Sequence, residues 1–262
     1  MDNRAIGVFD SGLGGLTAVS ALRRLLPNED IVYLADTKNV PYGDKSREEL
    51  IALAESDVSF LVSKDVKLIL IACGTVSSTL SEEQMSSYGL RVVGVIDPAA
   101  KAAAEKSKNG KIGVIATAAS IKSGAYKKKM LEIDRNLEVF DVACPKLVLL
   151  IESGKTEGAE VKEALCEYLM PLSEKGIDTL VLGCTHYPLL KKEVEAILPE
   201  ASLIDVGEKA AAEVKEYLEK QDMLSQSGGK VALYCSGDCE DFKEKASRFL
   251  GYSIEKVYKA EK

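Results

Sequence analysis

Three reactive side chains follow one another in the second half of the chain, at Cys184, Thr185 and His186. They come directly after the apolar run 180–182 and Gly183, a pattern that is typical of a buried strand ending at its carboxyl edge. Ligands of open α/β sheets bind at that edge, and the start of a helix beside a thiol lowers its pKa. A buried cysteine also serves as a small apolar side chain, but three reactive groups in a row favour a functional site.

A second cysteine occupies a similar setting earlier in the chain. The stretch 67–75 reads KLILIACGT, so Cys73 also follows an apolar run and precedes a threonine, Thr75. An apolar segment that begins IGV lies before each cysteine, at 6–8 and at 112–114. The repeated order of strand, long interval, strand and cysteine predicts two α/β units that each present one thiol at a strand end.

Two thiols that face one cleft can move protons at a single carbon. A thiolate on one side removes a proton, and a thiol on the other side returns one to the opposite face, which inverts the stereocentre. At neutral pH a thiol with its ordinary pKa of ~8.5 is only slightly ionised, so a neighbouring group must assist. By their motifs, Asp10 and His186 are the candidates for that assistance.

A single nucleophilic cysteine, with histidine as its base, is the alternative chemistry and would give acyl transfer. That mechanism leaves Cys73 without a role, and Cys184 and His186 on one turn need not face each other. A cysteine-dependent hydrolase or lyase, and a non-catalytic binder built of two α/β lobes, therefore stay open as other classes of function.

Composition and charge limit the classes of binding partner and the cellular location to be expected. The chain of 262 residues has a net charge of −7, which argues against a nucleic-acid partner because such proteins need a basic face. Its apolar runs fall short of the ~20 residues that cross a bilayer, and its start, MDNRAIGVFD, lacks the apolar core of a signal peptide. We therefore expect a cytoplasmic protein with reduced cysteines. One histidine and no close CxxC pair give poor support for a metal site.

Alternating strand and helix signals predict an α/β fold with mostly parallel sheets. A strand at 5–9 leads into Asp10 and a glycine-rich turn, and a loop at 36–43 carries Tyr42 and Gly43. A Ser-x-x-Glu capping box at Ser46 to Glu49 predicts the start of a helix there, and a further helix is predicted at 159–174. Other local predictions are a helix capped by Asp97-Pro98, a polar loop at 117–120, a helix at 190–198, a polar turn at 224–229 and a weak strand at 254–257.

Four stretches taken together resemble glutamate racemase, a cofactor-independent family of amino-acid racemases. They are FDSGLGGLT at 9–17, ADTKNVPYG at 35–43, ACGT at 72–75 and GCTHYPLL at 183–190. The resemblance extends in order along nearly the whole chain and includes GVIAT at 113–117, ACP at 143–145 and Ile151-Glu152. It implies two α/β domains related by a pseudo-twofold axis, with the active site in the cleft between them. We assign residues 1–96 and 212–262 to the first domain and 97–211 to the second.

The same resemblance implies roles for the site residues. Cys73 and Cys184 would be the paired acid and base, Asp10 and His186 would assist the two thiols, and Glu152 would stand behind His186. The residues implied in substrate binding are Asp10, Ser11, Tyr42, Gly43, Gly74, Thr75, Thr185 and His186, with Thr117 in support.

The implied substrate is glutamate, and the implied product, D-glutamate, would feed peptidoglycan synthesis. A racemase for another amino acid, such as aspartate, is the alternative. No cofactor is expected. Lys38 is the single lysine inside the four motifs, and a cofactor bound as a Schiff base would need such a lysine. The family resemblance also implies a homodimer that acts on a small molecule, with no nucleic-acid or membrane partner.

One position departs from the family pattern. The first cysteine is usually followed by asparagine, whereas this chain has Gly74. An asparagine side chain there would hydrogen-bond the substrate, and the loss of such a bond costs ~0.5–1.5 kcal/mol. We therefore expect weaker or altered substrate binding in this chain, and a gain in glutamate affinity in Gly74→Asn.

Overall fold

The computed structural model describes residues 1–226 and 228–262, which form two parallel sheets flanked by helices. The strands are β1 Ile6–Asp10, β2 Ile31–Ala35, β3 Leu68–Ile71, β4 Arg91–Gly94, β5 Lys111–Ala116, β6 Glu138–Ala143, β7 Thr179–Leu182, β8 Ser202–Asp205, β9 Val231–Cys235 and β10 Tyr258–Lys259. The helices are α1 Leu16–Leu25, α2 Arg47–Ser63, α3 Gly74–Ser77, α4 Glu82–Ser87, α5 Ile96–Lys106, α6 Ala118–Ser123, α7 Ala125–Ile133, α8 Pro145–Glu152, α9 Ala159–Glu174, α10 Lys191–Ile197, α11 Val206–Lys220 and α12 Cys239–Leu250, with 3₁₀ turns at Tyr42–Asp44 and Tyr187–Leu190.

Both sheets share one internal strand order, which brings the two cysteines to equivalent places. The first sheet runs β10-β9-β2-β1-β3-β4 and the second runs β6-β5-β7-β8, so the order β2-β1-β3-β4 is repeated by the second sheet. Every pairing between neighbouring strands is parallel. Cys73 follows β3 and Cys184 follows β7, the corresponding strand of the repeat. The predicted fold class, two α/β domains with parallel sheets, is confirmed.

Side chains of both sheets meet in one core. Ile6 and Val8 of β1 belong to the same buried cluster as Ile112 and Val114 of β5. Phe9 points the other way, into a separate cluster on the outer face of the first sheet, because successive residues of a strand face opposite sides. Helix α11 packs against both α1 and α5 between the sheets. These contacts fix the two carboxyl edges relative to each other.

The domain borders stay a prediction. The first sheet draws its strands from 6–94 and 231–259, and the second draws its strands from 111–205. The predicted border after residue 96 falls within α5, and the border after residue 211 falls within α11.

Local signals predict some helices well. Ser46 and Glu49 form the expected capping box at the start of α2, with the Glu49 N–H donating to Ser46 Oγ over 3.2 Å. Helix α9 spans the predicted residues 159–174 and keeps Pro171 inside it. The short helix α4 was not anticipated, although Ser81 and Gln84 form a second capping box at its start.

Other local predictions are wrong at their boundaries. The segment 117–120 is not a loop, because Thr117 caps α6 and its Oγ1 accepts the Ser120 N–H over 3.3 Å. Helix α5 begins one residue before Asp97, so the Asp97 side chain does not cap it. The helix predicted at 190–198 agrees with α10 to within one residue at each end, whereas the weak strand predicted at 254–257 forms later, as β10. The polar turn predicted at 224–229 includes residue 227, which lies outside the described residues.

No helix in the described part of the chain is long and apolar enough to span a bilayer.

Candidate active site

The carboxyl ends of the two sheets open into one cavity of about 290 Å³. Every residue that the sequence singled out for the site lines this cavity: Asp10, Ser11, Tyr42, Gly43, Cys73, Gly74, Thr75, Thr117, Glu152, Cys184, Thr185 and His186. The equivalent strand ends after β3 and β7 therefore present their thiols to the same space.

Cys73 lies at the start of α3 and is 5% exposed. Burial and the carboxylate of Asp10 raise the pKa of its thiol to about 12, although the Val76 N–H and Ser11 act in the opposite direction. Its Sγ lies 3.8 Å from Ser11 Oγ. Cys73 is therefore protonated at neutral pH in the free protein, which suits it to donate a proton.

Cys184 has a different neighbour. Its Sγ lies 3.6 Å from His186 Nδ1, and His186 Nε2 lies 3.2 Å from Glu152 Oε1. Burial disfavours a charged imidazole, but hydrogen bonds with Cys184 and Glu152 and the charges of Cys184 and Asp10 raise the pKa of His186 to about 10. The sulfur of Cys184 thus has a histidine ring nitrogen within hydrogen-bond reach, which makes Cys184 the better placed of the two thiols to accept a proton from a substrate.

Asp10 connects the two halves of the cavity. It ends β1 and is 1% exposed. Its Oδ1 accepts the Gly12 N–H over 2.8 Å, and its Oδ2 accepts the Thr185 hydroxyl over 3.3 Å. Burial raises the pKa of Asp10, although the charge of His186 and these hydrogen bonds act against the rise. A buried carboxylate that faces the cavity is suited to a cationic group of a ligand.

Three hydroxyl groups at the ends of the two sheets form a short chain. Thr75 Oγ1 lies 3.2 Å from Thr117 Oγ1, which lies 3.0 Å from Ser120 Oγ. Thr75 comes after β3 of the first sheet and Thr117 follows β5 of the second sheet, so this chain of hydroxyls also joins the two halves.

Tyr42 lines the cavity, but its hydroxyl is already bonded inside the protein. Tyr42 Oη donates to Asp36 Oδ2 over 2.6 Å and lies 3.2 Å from Asp57 Oδ2. The phenol that the sequence suggested as a ligand group thus holds the loop in place. Gly43, beside it, has open space where a side chain would point.

Gly74 faces the backbone of the second sheet at close range. A Cβ atom built on Gly74 would lie 2.7 Å from the carbonyl oxygen of Gly183. Glycine at this position therefore permits the contact between the end of β3 and the end of β7, and a side chain there would force the two apart.

An apolar wall was missed by the sequence reasoning. Pro145, Val148 and Leu149 of α8 line the cavity, and their spacing places them on the same face of the helix as the predicted Glu152. That periodicity was the available signal, but the continuous apolar run at 147–151 hides it. Other lining residues that were not anticipated are Val40, Pro41, Asp44, Ala118, Cys144 and Gly183.

Apart from the His186 imidazole, the charged side chains that line the cavity are acidic. They belong to Asp10, Asp44 and Glu152, and no lysine or arginine is among the described residues of the lining. A ligand carboxylate would thus meet hydroxyls, backbone N–H groups and the His186 ring. Lys38 lies outside the lining. Within 1–226 and 228–262, no group of three or more His, Cys, Asp or Glu side chains is arranged to hold a metal ion.

Comparison with known proteins places the chain. Residues 18–214 match the family described as Asp/Glu/hydantoin racemase. A glutamate racemase of Thermoanaerobacter pseudethanolicus is 44% identical over 259 residues, which cover 98% of this chain and 97% of that protein. The chain belongs to the glutamate racemase family.

Solved structures of family members match along the full length. The crystal structure of a glutamate racemase from Bacillus anthracis has a TM-score of 0.94 at 36% identity, covering 100% of this chain and 98% of that one. A glutamate racemase from Francisella tularensis, solved in complex with D-glutamate, has a TM-score of 0.92 at 34% identity, with the same coverage. This member of the family therefore shares the family's two-domain fold.

Proposed function

We propose that this chain interconverts L-glutamate and D-glutamate by proton transfer at Cα, without a cofactor, with Cys73 and Cys184 as the two acid–base groups. The observation that carries the proposal is the presence of two thiols from equivalent strand ends in one cavity. Glutamate as the substrate is supported by the related glutamate racemases, one of which was solved with D-glutamate.

The two thiols start the reaction in different states. Cys184, beside the His186 imidazolium, acts as the thiolate and removes the Cα proton of the enantiomer that presents it there. Cys73, with a pKa raised to about 12 by burial and by Asp10, is the thiol that protonates the other face. In the reverse direction the two exchange roles, and Cys73 must then lose its proton.

Substrate binding itself helps Cys73 to do so. The α-ammonium of glutamate pairs with Asp10, the buried carboxylate of the cavity. That pairing cancels part of the negative charge that raises the pKa of Cys73, so the thiolate becomes more accessible when the site is filled. The substrate carboxylates are bound by the cavity's hydroxyls, among them Ser11 and Thr75, and by backbone N–H groups.

The test is incubation of the purified protein with L-glutamate in deuterated water, without added pyridoxal phosphate. We expect deuterium at Cα together with accumulation of the D-isomer. L-Aspartate is run in parallel, and faster inversion of aspartate would assign the runner-up substrate. Absence of both exchange and inversion with either amino acid would refute the proposal.

We further propose a cytoplasmic homodimer that supplies D-glutamate for peptidoglycan synthesis and has no nucleic-acid or membrane partner. The net charge of −7 and the family resemblance support this setting. Light scattering on the purified protein measures the assembly, and a monomer at working concentrations would count against the dimer.

Glu152→Gln is expected to move the alkaline limb of the pH–rate profile to lower pH. The Glu152 carboxylate helps to raise the pKa of His186, so its loss lowers that pKa, and the imidazolium is lost at a lower pH. Because the Glu152 side chain is 40% exposed, we expect solvent to limit the shift to about half a pH unit. The measurement is kcat/KM for each enantiomer between pH 6 and the alkaline limit of stability.

Glu160→Gln provides the matched control for this prediction. Glu160 pairs with Lys155 at the surface and lies outside the cavity, so its substitution should leave the profile in place. An unchanged limb in Glu152→Gln would show that Glu152 does not act on His186.

A further inference from the structure

Two buried carboxylates behind the cavity have no part in the proton transfer. The side chains of Asp36 and Asp57, called here the acid pair, are both 0% exposed. Tyr42 Oη donates to Asp36 over 2.6 Å and lies 3.2 Å from Asp57, so the acid pair is joined to the cavity wall through this side chain. Two carboxylates that share a dry site repel each other unless a proton or a cation lies between them.

Lys262 supplies that cation. Its Nζ lies 2.7 Å from Asp36 Oδ1 and also bonds Asp57 Oδ1, and its side chain is only 11% exposed. Within the described residues, Lys262 is the sole cation paired with either carboxylate.

The acid pair still carries an excess of negative charge. Burial and the charge of Asp36 raise the pKa of Asp57 to about 7, and Lys262 acts against that rise. For Asp36, burial is outweighed by hydrogen bonds from Lys262, Ser236, Tyr42 and Asn39, which lower its pKa. Lys262 thus acts to lower the pKa of both carboxylates.

The segment that carries Lys262 is anchored without it. Strand β10 pairs with β9, with Tyr258 opposite Tyr234 and Lys259 opposite Cys235. The Ala260 N–H donates to the Cys235 carbonyl over 2.8 Å, and Ala260 is buried. Removal of the Lys262 charge therefore leaves the segment in place.

We propose that Lys262 is a positioning residue for the cavity wall at 40–44, which it holds through the acid pair and Tyr42. This inference rests on the proposed function, in which the wall at 40–44 contacts glutamate. Residues 40–44 all line the cavity, whereas Lys262 does not touch it. The role of Lys262 is to offset part of the negative charge of the two carboxylates so that Tyr42 keeps its bond to Asp36.

Lys262→Met tests this role. We expect KM for glutamate to rise about tenfold with kcat within about twofold of wild type, because the wall contacts the substrate equally in the ground state and the transition state. Lys256→Met is the matched control. Lys256 lies in the same segment and is exposed, with its ammonium over the Tyr258 ring, so its substitution should leave KM unchanged. A KM within twofold of wild type in Lys262→Met, or an equal rise in Lys256→Met, would overturn the proposal.

A compensating substitution separates charge balance from simple destabilisation. Lys262→Met combined with Asp57→Asn removes one cation and one anion, so KM should return to within about threefold of wild type. A double variant as impaired as Lys262→Met would overturn the charge argument.

Amide hydrogen exchange measures the stability of the wall independently of enzyme activity. Residues 36–44 should exchange faster in Lys262→Met than in wild type and Lys256→Met, and slow again in the double variant. If the wild type failed to racemise glutamate, the proposed function would fall while this measurement still decided the role of Lys262. Unchanged exchange at 36–44 would overturn it.

Discussion

Cys73→Ser and Cys184→Ser are each expected to lower the racemisation rate by about a thousandfold or more, since acid–base groups of this kind contribute ~10²–10⁴-fold and both act in each turnover. A serine hydroxyl keeps the size of the side chain but ionises far less readily than a thiol. Both cysteines are buried in the cavity wall. The measurement is the rate of D-glutamate formation from L-glutamate, and of the reverse reaction.

The variants also differ from each other in a way that a general loss of structure would not produce. Cys73→Ser retains Cys184 with its His186 partner. It should still exchange the Cα hydrogen of one enantiomer with deuterated solvent, without inverting it, because the remaining base removes and returns the proton on one face. Exchange of both enantiomers at equal rates in this variant would contradict the assignment of one thiol to each face.

Cys166→Ser is the matched control. Cys166 belongs to α9 and lies outside the cavity, so its substitution should leave both directions unchanged. If the wild type consumes glutamate without inverting it, and Cys73→Ser keeps that activity while Cys184→Ser does not, a single-cysteine hydrolase or lyase becomes the better assignment. If both variants bind glutamate and the wild type never inverts it, the protein is a binder.

Much of the site is encoded locally, which is why the sequence could predict it. Asp10 ends an apolar strand, and Cys73 and Cys184 each come two residues after one. Parallel strands bring their carboxyl ends to one edge of a sheet. The repeat of strand order then places the two cysteines in corresponding positions. No knowledge of distant contacts is needed for these inferences, because strand direction alone decides them.

What the sequence could not predict depends on contacts between distant residues. The hydroxyl of Tyr42 donates hydrogen bonds to Asp36 and Asp57. Asp57 lies on α2, and no pattern near Tyr42 indicates which face of that helix packs against the loop. The bond from Lys262 to the acid pair spans more than two hundred positions. Local pattern also misjudged 117–120, since Thr117 looked like a loop residue until its hydroxyl was seen to cap α6.

Gly74 is the position where the structure reverses an expectation from the sequence. The family pattern suggested that Gly74→Asn would gain a hydrogen bond to the substrate. We now expect Gly74→Asn and Gly74→Ala to lower kcat/KM about a hundredfold, because any Cβ there would lie 2.7 Å from the Gly183 carbonyl oxygen and an error of ~1 Å in catalytic geometry costs about that much. The measurement is kcat and KM for both enantiomers in the two variants.

The Gly183 backbone has little freedom to give way. Its N–H donates to the Ile115 carbonyl over 2.7 Å, and its carbonyl accepts the Tyr126 hydroxyl over 3.2 Å. The strain must then move α3, and with it Cys73, away from Cys184, the residue that follows Gly183. The two variants separate sterics from polarity: alanine carries the clash alone, whereas asparagine adds the amide. Equal losses would assign the effect to the clash, and tighter glutamate binding in Gly74→Asn with kcat preserved would show that the two strand ends can separate without cost.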